Sequence, residues 1–209
     1  MPALSEEVIA AIRAGVPAYS RPLSERFGAG IRAGVEQALS QFADLIADPD
    51  LDRASAERVY RGLGRGEHRE HRSLDALLAA YRVGARVSWR RIAALAIEAG
   101  VDRRTLALLA EAVFAYIDEI SALSVEGYTD AQSAAAGETE RRRRRLARLL
   151  LDPRAEPAAV ARAAAEASWE PPASIAALAW RGEGRRLRAT LPADALALTE
   201  EEGGLALLA

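Results

Sequence analysis

Five side chains in the middle of this 209-residue chain could hold a ligand: Tyr81, Arg82, Arg86, Trp89 and Tyr116. Arg82, Arg86 and Trp89 fall at i, i+4 and i+7, which is one face of a helix. Two guanidinium groups and an indole on one face can grip a planar anion by forked hydrogen bonds and stacking. Glu111, Tyr116, Asp118 and Glu119 follow on the next helical segment as partners. They also support a competing reading, in which the arginines pair with these carboxylates between two helices and Trp89 fills core.

Glu67-His68-Arg69-Glu70-His71 contains the chain's 2 histidines beside two carboxylates. The histidines are three residues apart in a polar segment flanked by glycine, whereas a helical HExxH zinc motif has four-residue spacing with glutamate after the first histidine. A solvated turn without metal is the expectation. Neither histidine lies in an apolar stripe, as a haem ligand would, so neither haem nor another cofactor is expected. Arg141 to Arg145 suggests nucleic acid, but five adjacent residues of a helix point all round it and no aromatics interleave. Glu138 and Glu140 stand four residues before Arg142 and Arg144, the spacing of solvated helix ion pairs.

Catalysis finds no foothold. No glycine-rich phosphate loop follows a strand and no GxSxG elbow occurs, so an enzyme is not expected. The absence of cysteine removes disulfides, thiol nucleophiles and thiolate metal sites. All 28 basic residues are arginine, which fits the codon bias of a GC-rich genome and weakens arginine counts as a functional signal. A net charge of −2 offers no general attraction to nucleic acid or anionic membrane. There is no signal-peptide pattern and no apolar run near the ~20 residues of a membrane span, so a cytoplasmic location is expected.

The elements that must position these residues read as mainly α. Ser5 is a candidate N-cap for a first helix ending at Gly15, and Ser20 for a second, with Pro22 in its first turn, running to about Ala47. The second carries an apolar stripe of Leu23, Phe27, Ile31, Val35, Leu39, Phe42 and Ile46. A third begins at Ser55, and Gly62, Gly64 and Gly66 are expected to weaken and end it. A fourth runs from Ser73 to Ala99 with Gly100 as its cap. Asp102 then caps a helix from Arg103 to Leu151, far beyond the average of about three turns. Its residues Leu106, Leu109, Val113, Tyr116, Ile120 and Leu123 alternate in steps of three and four, a bundle or dimer seam. Apolar content falls after Tyr128, so the later part reads as a connector, weakest at Gly137.

Beyond Pro153 the pattern changes to a short helix from Pro157 to Ser168 and then strands: Ser174 to Trp180 as a buried strand, Arg186 to Leu191 as its partner, and further strands around Leu196 to Leu198 and Leu205 to Leu208. The last apolar run has nothing after it to cover it, so this domain is expected to be incomplete. The organisation is residues 1–137 as a helical sensory and dimerisation domain, 138–152 as a helical connector, and 153–209 as a partial α+β domain.

The run SLDALLAAYRVGARVSWRRIA, then LAEAVFAYIDEISALSVEGY and ERRRRRLARLLLD, resembles the N-terminal helical region of PucR-type transcriptional regulators, itself similar to the RsbR N-terminal domain. AAEASWEPPASIAALAW and LPADALALTEEEGGLALLA resemble the opening of the GGDEF-like domain of the PucR and CdaR families. The resemblance implies a globin-like bundle without haem, and the sensory and dimerising part of a transcription factor whose helix-turn-helix is missing here. A homodimer is then expected, with a small-molecule effector or a protein partner, DNA reached only through the missing part, and no membrane association. The alternative is a protein-docking module of an RsbR-like stress-signalling assembly.

Overall fold

The computed structural model describes residues 2–20, 25–48, 50–182, 190–200 and 202–208. Six α-helices occur among them: α1 (Pro2–Gly15), α2 (Glu25–Ala47), α3 (Ala54–Arg69), α4 (Leu74–Glu98), α5 (Arg103–Leu151) and α6 (Pro157–Glu166), with a 3-10 turn at Pro17–Tyr19. Three strands follow: β1 (Ala176–Arg181), β2 (Leu196–Glu200) and β3 (Gly203–Leu208). The chain divides into two compact units, Met1–Gln132 and Ser133–Ala209, and α5 is common to both. None of the helices is long and apolar enough to cross a membrane.

In the first unit α1 lies along α4 and α2, and α2 along α3. Val8, Ile12, Val16 and Tyr19 bury against Ala76 and Ala80 in one core cluster. A second joins Ala56 and Tyr60 of α3 to Tyr116 and Ile120 of α5. The helix ends follow local chemistry. The Ser73 hydroxyl accepts from the Ala76 N–H at 3.3 Å, and Gly100 takes the positive φ of 72° that ends α4. The Asp102 carboxylate accepts from the N–H groups of Arg104 and Thr105, starting α5.

Several local expectations are corrected. Ser5 is buried inside α1, which begins three residues earlier, and Ser20 donates to the Pro17 carbonyl at 2.7 Å, closing the 3-10 turn. Pro22 and Leu23 lie outside the described residues. Ile46 is exposed, and Leu45 packs in its place. The glycines of α3 do not end it, because the helix continues to Arg69. Gly64 is instead where α5 comes close: a Cβ there would stand 2.0 Å from the Ser124 carbonyl oxygen. The modest propensity cost of a helical glycine, about 1 kcal/mol, is accepted for that approach.

The second unit is built on one apolar face of an antiparallel sheet with strand order β1-β3-β2. Leu196 pairs with Leu207 and Leu198 with Leu205, and this face meets Leu146 and Ala147 of α5 and Ala163, Ala164 and Ala167 of α6. The 138–152 stretch therefore supplies core to this unit and is not a bare connector. The strand near Ser174 is an exposed edge: Ala177 and Ala179 share the helix-side face with Leu207 and Leu205, and Leu178, on the opposite face, is 40% accessible. Its partner is β3, the central strand, in which Ala206 is buried between β1 and β2 and Leu207 packs against α5 and α6. Of the partner strand expected at 186–191, residues 186–189 lie outside the described ones, and Thr190 and Leu191 are not in a strand.

Candidate functional site

The first unit holds a partly open apolar cavity of about 100 Å³. Val8 and Ile12 of α1, Tyr19 of the 3-10 turn, and Ile31, Val35, Leu39 and Phe42 of α2 line one part of it. Leu63 of α3, Leu77, Tyr81, Ser88 and Ile92 of α4 and Val113, Tyr116, Ile117 and Ile120 of α5 line the rest. Small residues make the room, since Gly34, Ala38, Ala80, Gly84 and Ala85 all lie on the lining.

Three tyrosines turn ring surface to the cavity and commit their hydroxyls elsewhere. Tyr81 stands 2.7 Å from the Ser124 hydroxyl, which itself lies near the Ile120 and Tyr60 carbonyl oxygens at 2.9 and 3.1 Å. Carbonyls only accept, so Ser124 donates to one of them and Tyr81 donates to Ser124. The Tyr60 and Tyr116 hydroxyls are 2.8 Å apart, and Tyr116 lies 3.0 Å from Gln41 Oε1 against 3.3 Å for Tyr60. The shorter contacts order the chain as Tyr60 donating to Tyr116 and Tyr116 to Gln41. Burial pushes the Tyr116 phenol up to about 12, with the Tyr60 hydrogen bond pulling the other way. Burial likewise raises Tyr60 and Tyr81.

Tyr19 donates to Glu67 Oε1 at 2.7 Å, and Arg72 Nε donates to Oε2 at 3.0 Å. Glu67 is only 1% accessible, so its segment is no solvated turn: α3 carries the carboxylate inward before ending. Burial raises its pKa, opposed by the Tyr19 hydrogen bond and by Arg72. Tyr19 is raised in turn, by burial and then by its bond to Glu67. His68 packs edge-on against Tyr128, with ring centroids 5.3 Å apart, and His71 has a positive φ of 54° just past the helix. Among the described residues no three histidine, aspartate or glutamate side chains gather as metal ligands.

Of the five ligand candidates, Tyr81 and Tyr116 line the cavity, whereas Arg82, Arg86 and Trp89 do not. Arg82 and Arg86 share an exposed face of α4, as their spacing requires, and Trp89 is half-buried. The pairing with α5 carboxylates takes another form: Glu119 receives Arg53, at 3.0 Å. Along the seam, Val113, Tyr116 and Ile120 are buried within the chain's own bundle, while Leu106, Leu109 and Leu123 are half-buried. The arginine run is tied down by Glu138, Glu140 and Glu166, and Arg143 donates to the Ala193 carbonyl at 2.6 Å. Gln41, Ser88 and Ser124 carry no sequence signal, because each is a lone polar residue whose partners are set by tertiary packing, and Glu67 reads from sequence only as part of a polar segment.

No curated protein and no solved structure matches the chain significantly. A family model described as the PucR-like N-terminal domain matches residues 1–151, the stretch that holds α1 to α5 and every residue of the cavity wall. The chain therefore belongs to the PucR-like N-terminal domain family.

Proposed function

We propose that this chain is the sensory and dimerising portion of a cytoplasmic PucR-type transcriptional regulator, with DNA contact made by a helix-turn-helix outside these residues. The observation that carries the reading is the cavity itself, an apolar void inside the family-matched bundle with Tyr116, Ile117 and Ile120 of α5 in its wall. A ligand acts only if it binds two conformations unequally. Here occupancy would hold the Tyr81–Ser124 and Tyr116–Gln41 bonds in one arrangement, and α5 would carry the change into the second unit. The helix and antiparallel strands of that unit support its reading as the opening of a GGDEF-like domain.

Exposed Ile97 and Phe114, 65% and 63% accessible, support association with a second copy. The same side chains would serve a protein-docking module, so a co-purifying heterologous partner would favour that alternative. The regulatory reading is tested by deleting residues 1–132 from the encoded protein and profiling transcripts. A discrete set of genes should change expression, and a profile identical to the parent's would sink the proposal.

A further inference from the structure

We propose that the cavity binds a small uncharged molecule, with one ring or a short branched chain as its body and a single hydroxyl or carbonyl group held by Ser88. This deepens the sensory reading and rests on it for its biological consequence alone, because binding is read on the protein and regulation on transcripts.

The wall sets the class. None of its described residues carries a charge, so an ionised ligand would lose its hydration and gain no partner. The hydroxyls of Tyr19, Tyr81 and Tyr116 are held by Glu67, Ser124 and Gln41, so these residues offer ring surface to a ligand and not donors. Ser88 differs from them. It lies on the α4 side of the wall, half-buried, and its hydroxyl makes no hydrogen bond among the described residues. One hydroxyl can both donate and accept, which suits one neutral polar group on an otherwise apolar body.

Size narrows the class further. An apolar cavity of about 150 Å³ accepts benzene, and this one of about 100 Å³ is partly open and lined in part by Ile92 and Ile117. A single ring or its aliphatic equivalent fills it, whereas a purine-sized polar heterocycle would leave several hydrogen-bonding atoms against hydrocarbon.

The test is fluorine NMR of the full chain with fluorobenzene, 4-fluorophenol and 4-fluorobenzoate. The first two should show saturable broadening, with 4-fluorophenol bound about three- to tenfold more tightly through its hydrogen bond. Ser88→Ala should bring 4-fluorophenol to the level of fluorobenzene and leave fluorobenzene unchanged. Ala85→Leu, or Ala38→Leu should that variant fail to fold, should fill the space and remove both while circular dichroism stays that of the parent. Absence of saturable binding, binding indifferent to the filling variants, or a 4-fluorophenol preference that survives Ser88→Ala would each overturn the proposal. Preferential binding of 4-fluorobenzoate lost in Arg82→Ala would overturn it in favour of the outer arginine face.

Discussion

Gly64 of α3 and Gly127 of α5 close one helix crossing from opposite sides. A Cβ on Gly64 would stand 2.0 Å from the Ser124 carbonyl oxygen, and one on Gly127 2.0 Å from the Arg61 carbonyl oxygen. Both obstacles are backbone, so neither can swing aside as a side chain would. Alanine at either position gains about 1 kcal/mol of helix propensity and must push the helices apart, which costs about 1–3 kcal/mol or more. Each variant should be destabilised in urea unfolding. The double variant should lose less than the sum, because one separation relieves both clashes. Stabilisation of either single variant would show that the helices do not cross this closely.

Glu67 makes stability depend on pH with a definite sign. Burial raises its folded pKa above the ordinary 4.5, so between the two values the folded state binds a proton that the unfolded state has released. Its contribution is fully present below 4.5 and is lost as pH rises through the folded value. Glu67→Gln keeps an acceptor for Tyr19 and removes the titration. The stability difference between that variant and the parent should therefore move in the variant's favour as pH rises from about 4 towards 8. Movement in the opposite direction would mean that Arg72 outweighs burial. Glu67→Ala, which removes the acceptor of the Tyr19 hydroxyl and the nearer carboxylate partner of Arg72, should cost about 1–3 kcal/mol near neutrality.

Much of the helical framework was legible because it is written locally. Ser73, Gly100 and Asp102 mark helix ends through their own side chains or backbone, and α5 runs from Arg103 to Leu151 as its uninterrupted pattern requires. Tertiary contacts were not legible. The α3 glycines look like helix breakers until the backbone of α5 is placed against Gly64, and Glu67 looks solvated until Tyr19, 48 residues earlier, is seen to reach it. Tyr81 and Tyr116 were singled out beside two arginines, yet they line a cavity that neither arginine enters. The void itself has no sequence signal, since every wall residue also reads as ordinary core.

The buried hydroxyls should be energetically coupled in the order in which they touch. Tyr60 and Tyr116 are 2.8 Å apart, whereas Tyr81 bonds to Ser124. A double-mutant cycle of Tyr60→Phe with Tyr116→Phe should give an interaction energy of about 0.5–1.5 kcal/mol. The cycle of Tyr116→Phe with Tyr81→Phe should give a smaller value. Equal couplings would show one shared network in place of two.

The second unit should fail at Leu146, a fully buried α5 side chain packed with Ala163, Ala164 and Leu196. Leu146→Ala should cost about 2–5 kcal/mol and expose the amides of β3 to hydrogen exchange. Arg141→Ala, which removes an exposed pairing with Glu138, should leave those amides protected. Equal exchange in the two variants would show that α5 does not supply this core.

Two apolar faces of α5 can be told apart by charge. Ile120 is 2% accessible and packs with Tyr60 and Tyr116, so Ile120→Asp buries an unpaired carboxylate and should collapse the bundle, seen as lost thermal stability. Phe114 is 63% accessible and contributes to neither core of the first unit. If the proposed dimer forms through this outer face, Phe114→Asp should halve the mass in light scattering and leave the bundle's helicity unchanged. A dimer that survives Phe114→Asp would place the interface on another face. A parent chain that stays monomeric across the concentration series would remove dimerisation from the proposed function and leave Phe114 and Ile97 as surface for a different protein.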